Sequence, residues 1–328
     1  MLTRRTFLRS AALGAAALYA RPAFGQAPFA PAKLISLGGP TALSPGGVHD
    51  YRSWGNAADV RATGTAWIKI WVAWSDLQGP YPRPDTRSAS WAQLNAGVPD
   101  TPGYGLRVID EQVAAANQDG VKVMLCLQHD APQWAGRVPG DPQLEPPPRH
   151  NVTQRLPRET GPESPFGWWV AHICARYQRG APANMTGPRV PRPGEFDLPG
   201  RDAGAGNPSG AFVDAVEVGN EPNLMVWPLE EAPVRAADML RTADRWSARV
   251  KGPLVLGPGT SDTDGAIGLR TDYLQFTHAV LGELAGWVPR GQVGWSHHNY
   301  SDMARGTTER LRRVREALEV AGWSDRSI

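Results

Sequence analysis

The sequence predicts an α/β protein, a (β/α)8 TIM barrel that is incomplete at its C-terminus, with about six strands present. Three observations lead to this fold class. Apolar, β-branched segments alternate with helical segments along 328 residues, which is typical of a parallel sheet covered on both faces. Polar residues follow strand after strand, and the glycine signature of a dinucleotide-binding sheet is missing. A doubly wound sheet fits the alternation equally well, but the polar residues favour a barrel, whose strand ends converge on one rim.

Each predicted element rests on a local pattern. Short apolar segments rich in β-branched or aromatic residues are predicted as strands, at Lys33–Leu37, Trp67–Trp74, Val121–Leu127, Ala211–Val218, Pro253–Leu256 and Gln292–Trp295. Longer segments with apolar residues at helical spacing are predicted as helices, at His49–Thr63, Leu106–Gln118, Phe166–Tyr177, Leu229–Val250, Tyr273–Leu284 and Thr307–Val320. Loops rich in proline connect them at 131–165 and 179–210.

Residues 1–27 are predicted to be an export signal of the twin-arginine type. Arg4 and Arg5 precede an uncharged apolar run at 11–20, which is too short to span a bilayer. A basic helical N-terminus of a cytoplasmic protein is the alternative. Residues 28–328 are predicted to form one partial barrel domain, exported to the periplasm or the medium, with no further segment apolar enough to cross a membrane.

Charge and motif content exclude several classes of protein. Lys+Arg 34 against Asp+Glu 32 argues against nucleic acid or a membrane surface as the partner. Cys126 and Cys174 have no metal-binding spacing, and we expect buried free thiols, with a disulfide between them left open. Adjacent His297 and His298 point to opposite sides of a strand, so a shared metal is not expected. Residues 257–262 resemble a dinucleotide motif but lack its third glycine, and no cofactor is expected.

Polar clusters at the predicted strand ends would meet at one rim of a barrel, namely His129-Asp130, Asn220-Glu221, Ser261-Asp262 and residues 297–300. Glu217 lies within the fourth predicted strand and Glu221 at its mouth, so the period of two points both side chains to the same side. Glu217 is expected to pair with a basic group inside the barrel. Glu221 is suited to proton donation, and the alternative is a carboxylate that caps the following helix.

Residues 217–223, Glu-Val-Gly-Asn-Glu-Pro-Asn, are similar to the fourth-strand signature of the clan A glycoside hydrolases, which are retaining (β/α)8 enzymes acting on β-linked sugars. The resemblance implies that Glu221 is the general acid/base and that Asn220 holds the 2-hydroxyl of the sugar. It also implies that His298 and Tyr300 border the nucleophile, and that His129 is a subsite histidine. In strand order the similarity extends from Lys33 onward.

A carbohydrate substrate is the partner that follows from this resemblance. Aromatic rings near strand ends are candidate platforms for sugar rings, and Trp71, Trp134 and Trp227 are the candidates for substrate binding. Trp74 and Trp295 lie near strand ends as well, and packing in the core is the alternative for each tryptophan. The sequence carries no prediction of oligomeric state.

One departure from the family concerns the second carboxylate. Retaining hydrolysis requires a nucleophile ~5 Å from the acid/base, and the resemblance places it after a seventh strand. The sequence ends at 324–328, where that strand would begin, so we expect a fragment whose nucleophile lies beyond residue 328. Glu309, Glu316 and Glu319 are predicted on a helix outside the barrel and do not substitute for it. A noncatalytic carbohydrate-binding protein is the alternative function.

Overall fold

The computed structural model describes residues 36–38, 67–74, 106–128, 131, 135, 154–179, 210–224, 226–227, 229–265 and 270–323. Several sequence predictions fall outside these ranges: the export signal at 1–27, the helix at 49–63, His129 and Trp134. Within the described residues, no helix is long and apolar enough to cross a bilayer.

Six strands of the described residues form one parallel sheet. Within this sheet the strands are arranged in the order in which they occur along the chain. They are β1 Ser36–Gly38, β2 Trp67–Ala73, β3 Lys122–Gln128, β5 Ala215–Val218, β7 Leu254–Ser261 and β8 Val293–His298. A doubly wound sheet reverses its strand order at a switch point, and this sheet has none. The order therefore fits part of a TIM barrel, while closure by eight strands stays a prediction.

Helices follow strands in the described residues, and all of them except the short helix Tyr300–Arg305 lie where the sequence predicts a helix. They are α1 Leu106–Gln118, α2 Pro165–Arg176, α3 Ala232–Val250, α4 Tyr273–Glu283, α5 Tyr300–Arg305 and α6 Glu309–Val320, with a 3-10 turn at Leu229–Glu231. Two of the starts have a clear local cause. Ser164 caps α2 by accepting from the backbone nitrogen of Gly167, with proline in the first turn, and Asp272 caps α4. A second, small parallel sheet pairs β4 Gln154–Arg155 with β6 Val226–Trp227.

The two faces of the main sheet have different roles. The face toward the helices carries most of the apolar core, including Ile68, Ile70 and Val72. Trp74 stacks on Trp169 in this core, with ring centroids 6.3 Å apart. The inner face carries a small apolar cluster of Met124, Ala215 and Leu256. Polar side chains lie above that cluster, toward the carboxyl ends of the strands.

Two tryptophans that lie near strand ends belong to the helix-facing core. Trp74 and Trp295 are buried, and Trp295 packs edge-on against Trp323 with ring centroids 5.9 Å apart. The packing alternative is therefore correct for both, because strand alternation points them away from the inner face.

Strands β7 and β8 are longer than the sequence predicts. We expected them to end at Leu256 and Trp295, but they end at Ser261 and His298. Their register shifts between Gly257 and Thr260. The segment resembling a dinucleotide turn is therefore a β-bulge inside a strand, because pairing to β5 and β8 overrides the local turn preference of glycine and proline.

Both cysteines are buried free thiols, as expected. A buried ion pair joins α1 to α2 on the helix side of the sheet. Arg176 donates to Asp110 from Nη2 at 2.5 Å and from Nε at 3.0 Å, and the Tyr177 hydroxyl donates at 2.8 Å. This pair is remote from the polar inner face.

Candidate active site

Glu217 lies on the inner face of β5 and is completely buried. Its Oε1 accepts a hydrogen bond from Lys69 Nζ at 2.5 Å and one from Cys126 Sγ at 3.1 Å. Its Oε2 accepts from the Ser296 hydroxyl and lies 3.4 Å from His298 Nε2. Protein groups therefore occupy both carboxylate oxygens.

The charge of Glu217 is stabilised by its partners. Burial alone would raise the pKa of Glu217, but Lys69 and then His298 lower that pKa far below its usual range. The basic partner that the sequence analysis expected for Glu217 is thus Lys69. An ionised carboxylate enclosed on both oxygens cannot approach a sugar carbon, so Glu217 does not serve as a nucleophile.

Glu221 lies at the mouth of the same strand, with its side chain 23% exposed. Its backbone φ is 51°, in the left-handed region that non-glycine residues rarely adopt. The backbone nitrogen donates to Gly259 O at 2.6 Å, and the carbonyl accepts from Leu224 N at 2.8 Å. These two bonds hold the unusual backbone and turn the carboxyl toward His298. The helix-cap alternative is wrong, because the helix that follows, α3, begins at residue 232 and has Glu231 at its cap position.

His298 at the end of β8 contacts both carboxylates. Its Nδ1 lies 3.0 Å from Glu221 Oε1, and its Nε2 lies 2.8 Å from Lys69 Nζ. The ring joins the exposed carboxyl of Glu221 to the buried pair of Lys69 and Glu217. Burial and Lys69 act to lower the pKa of His298, but Glu217 and a hydrogen bond to Glu221 outweigh them and raise it.

Tyr300 stands at the rim, 54% exposed, with its hydroxyl 3.4 Å from His298 Nδ1. Burial of the hydroxyl end and the charges of Glu221 and Glu217 raise the pKa of Tyr300, so the phenol is a neutral donor toward Glu221. Asn220 is buried beside Cys126, with its Oδ1 3.8 Å from the sulfur. The structure thus brings four of the predicted residues to one place, namely Asn220, Glu221, His298 and Tyr300.

The predicted tryptophans are spread along the fold. Trp71 lies on β2, with Lys69 Nζ 5.7 Å from its ring centre. Trp227 belongs to the short strand β6. Trp134 and His129 fall outside the described residues.

His297 and Asp262 have structural roles. His297 faces the helix side, against the ring of Tyr273 at 5.6 Å, and burial lowers its pKa to about 4. Asp262 accepts from the backbone nitrogen of Ser301 and pairs with Arg310 at 3.4 Å, which anchors α5. As predicted, the two adjacent histidines point to opposite faces. The described part of the chain contains no group of three or more residues able to hold a metal ion.

Sequence reasoning missed Lys69, Cys126, Ser296 and Gly259. A signal for the lysine existed, since Lys69 alternates with Trp67 and Trp71 in an otherwise apolar strand. A methyl group at Gly259 would lie 2.7 Å from Glu217 Cδ and 2.8 Å from His298 Nε2. Only glycine therefore allows β7 to pass this close to the site.

Three of the solved structures that are similar to this chain are a glucosidase, a mannanase and an endocellulase. A glucosidase from Croceicoccus marinus shares 17% identity at a TM-score of 0.47, over 89% of this chain and 48% of that one. An endo-1,4-β-mannanase from Rhizomucor miehei shares 11% identity at 0.40, over 84% and 71%. An endocellulase from Pyrococcus horikoshii, complexed with cellotetraose, shares 13% at 0.32, over 84% and 64%. All three are glycoside hydrolases, the class that the sequence motifs indicate.

The chain spans about half the length of the glucosidase. No protein-family model matches the sequence, and no curated protein matches it. At such low identity and TM-score, the likeness says nothing about substrate or mechanism. Both therefore rest on the geometry of Glu221 and its neighbours.

Proposed function

We propose that this protein hydrolyses β-glycosidic bonds in oligo- or polysaccharides, with Glu221 as the general acid/base. One observation carries the proposal. The partly exposed carboxyl of Glu221 is held by His298 at 3.0 Å, at the mouth of a strand whose buried part carries the Lys69–Glu217 pair. A carboxyl fixed at an open strand end can reach a bound glycosidic oxygen while the charges beneath it stay in place.

The carboxyl of Glu221 acts in two steps of the proposed reaction. Glu221 first donates its proton to the glycosidic oxygen as the bond to the anomeric carbon breaks, because an unprotonated alkoxide is a poor leaving group. In the retaining route a second carboxylate attacks that carbon, and Glu221 then takes a proton from the water that releases the sugar. Glu217 is enclosed, so the proposal assigns the nucleophile to a carboxylate outside the described residues.

Several neighbours suit sugar recognition. Asn220 and Glu221 both lie just after the end of β5, and the Tyr300 ring is exposed at the rim. Amide and phenol groups donate to sugar hydroxyls, while aromatic rings pack against pyranose faces. We assign a carbohydrate substrate to this rim, with Trp71 as a further candidate contact.

The test uses a protein that contains this chain together with the proposed nucleophile, and aryl β-glycosides with leaving groups of graded acidity. Glu221→Gln should lower kcat/KM by roughly a hundredfold or more for the least acidic leaving groups, because general acid catalysis is lost. Glu316→Gln, a change on the exposed surface of α6, is the matched control and should leave the rate unchanged. Proton NMR of the first product should show the β anomer.

Two outcomes would overturn the proposal. Saturable binding of oligosaccharides without turnover supports the alternative, a noncatalytic carbohydrate-binding protein. If the Glu221→Gln variant keeps the wild-type rate with every leaving group, Glu221 is not the general acid/base.

A further inference from the structure

The contact between Lys69 and His298 determines which ring nitrogen carries a proton. Lys69 Nζ lies 2.8 Å from His298 Nε2. An ammonium group has three donors and no acceptor, so at this distance it faces a nitrogen that presents a lone pair. Nε2 is then the unprotonated nitrogen, and the single ring proton of a neutral imidazole lies on Nδ1.

Glu217 keeps Lys69 charged, which the assignment requires. Burial alone would lower the pKa of Lys69, but the negative charge of Glu217 and its hydrogen bond to Lys69 raise it. A neutral amine could instead accept from Nε2 and would permit the opposite tautomer. The bond of 2.5 Å from Lys69 to Glu217 removes that possibility.

The orientation of the ring is also set by its surroundings. Turning His298 over would place ring carbons, instead of nitrogens, against Lys69 and Glu221. The backbone of Gly259 packs closely beside Nε2, where a Cβ would lie only 2.8 Å away. One ring orientation therefore satisfies both polar neighbours.

We propose that Lys69 is a positioning residue, which holds His298 as the neutral Nδ1–H tautomer so that the ring donates to Glu221 Oε1. The catalytic role in this inference rests on the proposed function, whereas the assignment of the His298 tautomer does not. With Oε1 engaged, the proton that Glu221 transfers to the glycosidic oxygen resides on Oε2. The chain of contacts Glu217, Lys69, His298 and Glu221 thus selects the donor oxygen.

The first test is 15N NMR of the full chain labelled at histidine nitrogen, followed from pH 7 to pH 9.5 so that the neutral ring is observed above the raised pKa of His298. We expect His298 to show a protonated Nδ1 and an unprotonated Nε2, since the two states have well-separated shifts. The signals are assigned by their loss in His298→Gln, or through bonds to the Cβ of His298 where that variant does not fold. A protonated Nε2 in the neutral ring of the wild-type protein, or an imidazolium that persists to pH 9.5, overturns the proposal.

The second test measures turnover in the protein that also carries the proposed nucleophile, and it separates positioning from general support of the fold. The variant Lys69→Met with Glu217→Gln removes both charges and leaves no unpaired ion. We expect kcat/KM to fall by roughly a hundredfold for aryl glycosides that need protonation on departure. Dinitrophenyl glycosides, whose leaving group departs unprotonated, should lose far less. An equal loss for both leaving groups would mean a purely structural role and would reject the proposal.

A matched control replaces the remote buried pair, as Arg176→Met with Asp110→Asn. It should lower stability without changing the ratio between the two leaving groups or the His298 signals. A lack of glycosidase activity in the protein that carries the proposed nucleophile would overturn the proposed function alone, because NMR assigns the ring proton in the same protein.

Discussion

Lys69 and Glu217 are 148 positions apart in the chain, yet their side chains form a 2.5 Å ion pair on the inner face of the sheet. Strand β3 lies between their strands, so the lysine reaches across it over Cys126. The pair fills the centre of the site with opposite charges that are shielded from water. It also explains why a charged residue is tolerated in each of two otherwise apolar strands.

Lys69→Met should destabilise the fold by about 3–5 kcal/mol, because it leaves the Glu217 carboxylate buried without its counter-ion. Adding Glu217→Gln should restore most of that loss, since both buried charges are then gone. Urea unfolding of the two variants and the wild type measures the difference. Equal stabilities for the single and the double variant would show that Glu217 does not depend on Lys69.

Glu221→Gly should be more stable than Glu221→Ala by about 1 kcal/mol, the reverse of the usual order. The reason is the φ of 51°, which costs alanine but not glycine. Thermal or chemical unfolding of the two variants gives the comparison. Lys251 has a φ of 52° at the end of α3 and should show the same order when it is replaced. If Glu221→Ala were more stable than Glu221→Gly, the left-handed backbone at position 221 would be contradicted.

Gly259→Ala should disturb the site, whereas Gly257→Ala in the same strand should not. The new methyl at 259 meets Glu217 and His298, while the one at 257 meets a terminal methyl of Leu240 on the helix side, 2.7 Å away. Both changes should cost roughly 1–3 kcal/mol of stability through overpacking.

Only Gly259→Ala is expected to shift the 15N signals of the His298 ring, and Gly257→Ala serves as its control. Unchanged ring signals in a folded Gly259→Ala protein would mean that β7 does not pack against His298.

His297 should make the free energy of unfolding fall as the pH drops from about 6.5 toward 4. Its folded pKa of about 4 lies below the unfolded value, so the unfolded chain binds more protons in that window and stability rises with pH. The full effect is on the order of 3 kcal/mol for a shift of this size.

The variant His297→Phe should have a smaller slope than the wild type over this pH range. Gln275→Ala, a change at an exposed, non-titrating site on α4, is the control and should keep the wild-type slope. His172 has its pKa lowered by burial as well, so only the difference between variant and wild type tests His297. Identical slopes for His297→Phe and the wild type would refute the assignment.

Local patterns were sufficient for much of the fold. The helix at Leu106–Gln118 matches its prediction, because its apolar spacing is regular and a glycine ends it. The same approach failed at Gly257–Gly259, where turn residues lie inside a strand. Pairing on both sides of β7 fixes that backbone, and no window of neighbouring residues contains this information.

The sequence by itself determined the parallel α/β class, the inward direction of Glu217, and the burial of both cysteines. Each depends on periodicity or on hydrophobicity, which are local properties of the chain. Only the tertiary structure decided that Lys69 is the counter-ion of Glu217, that Trp74 and Trp295 are core residues, and that His298 joins the two carboxylates. These relationships depend on which strands become neighbours and at what register, since contacts of 2.5 to 3.4 Å between distant residues exist only once the sheet is assembled.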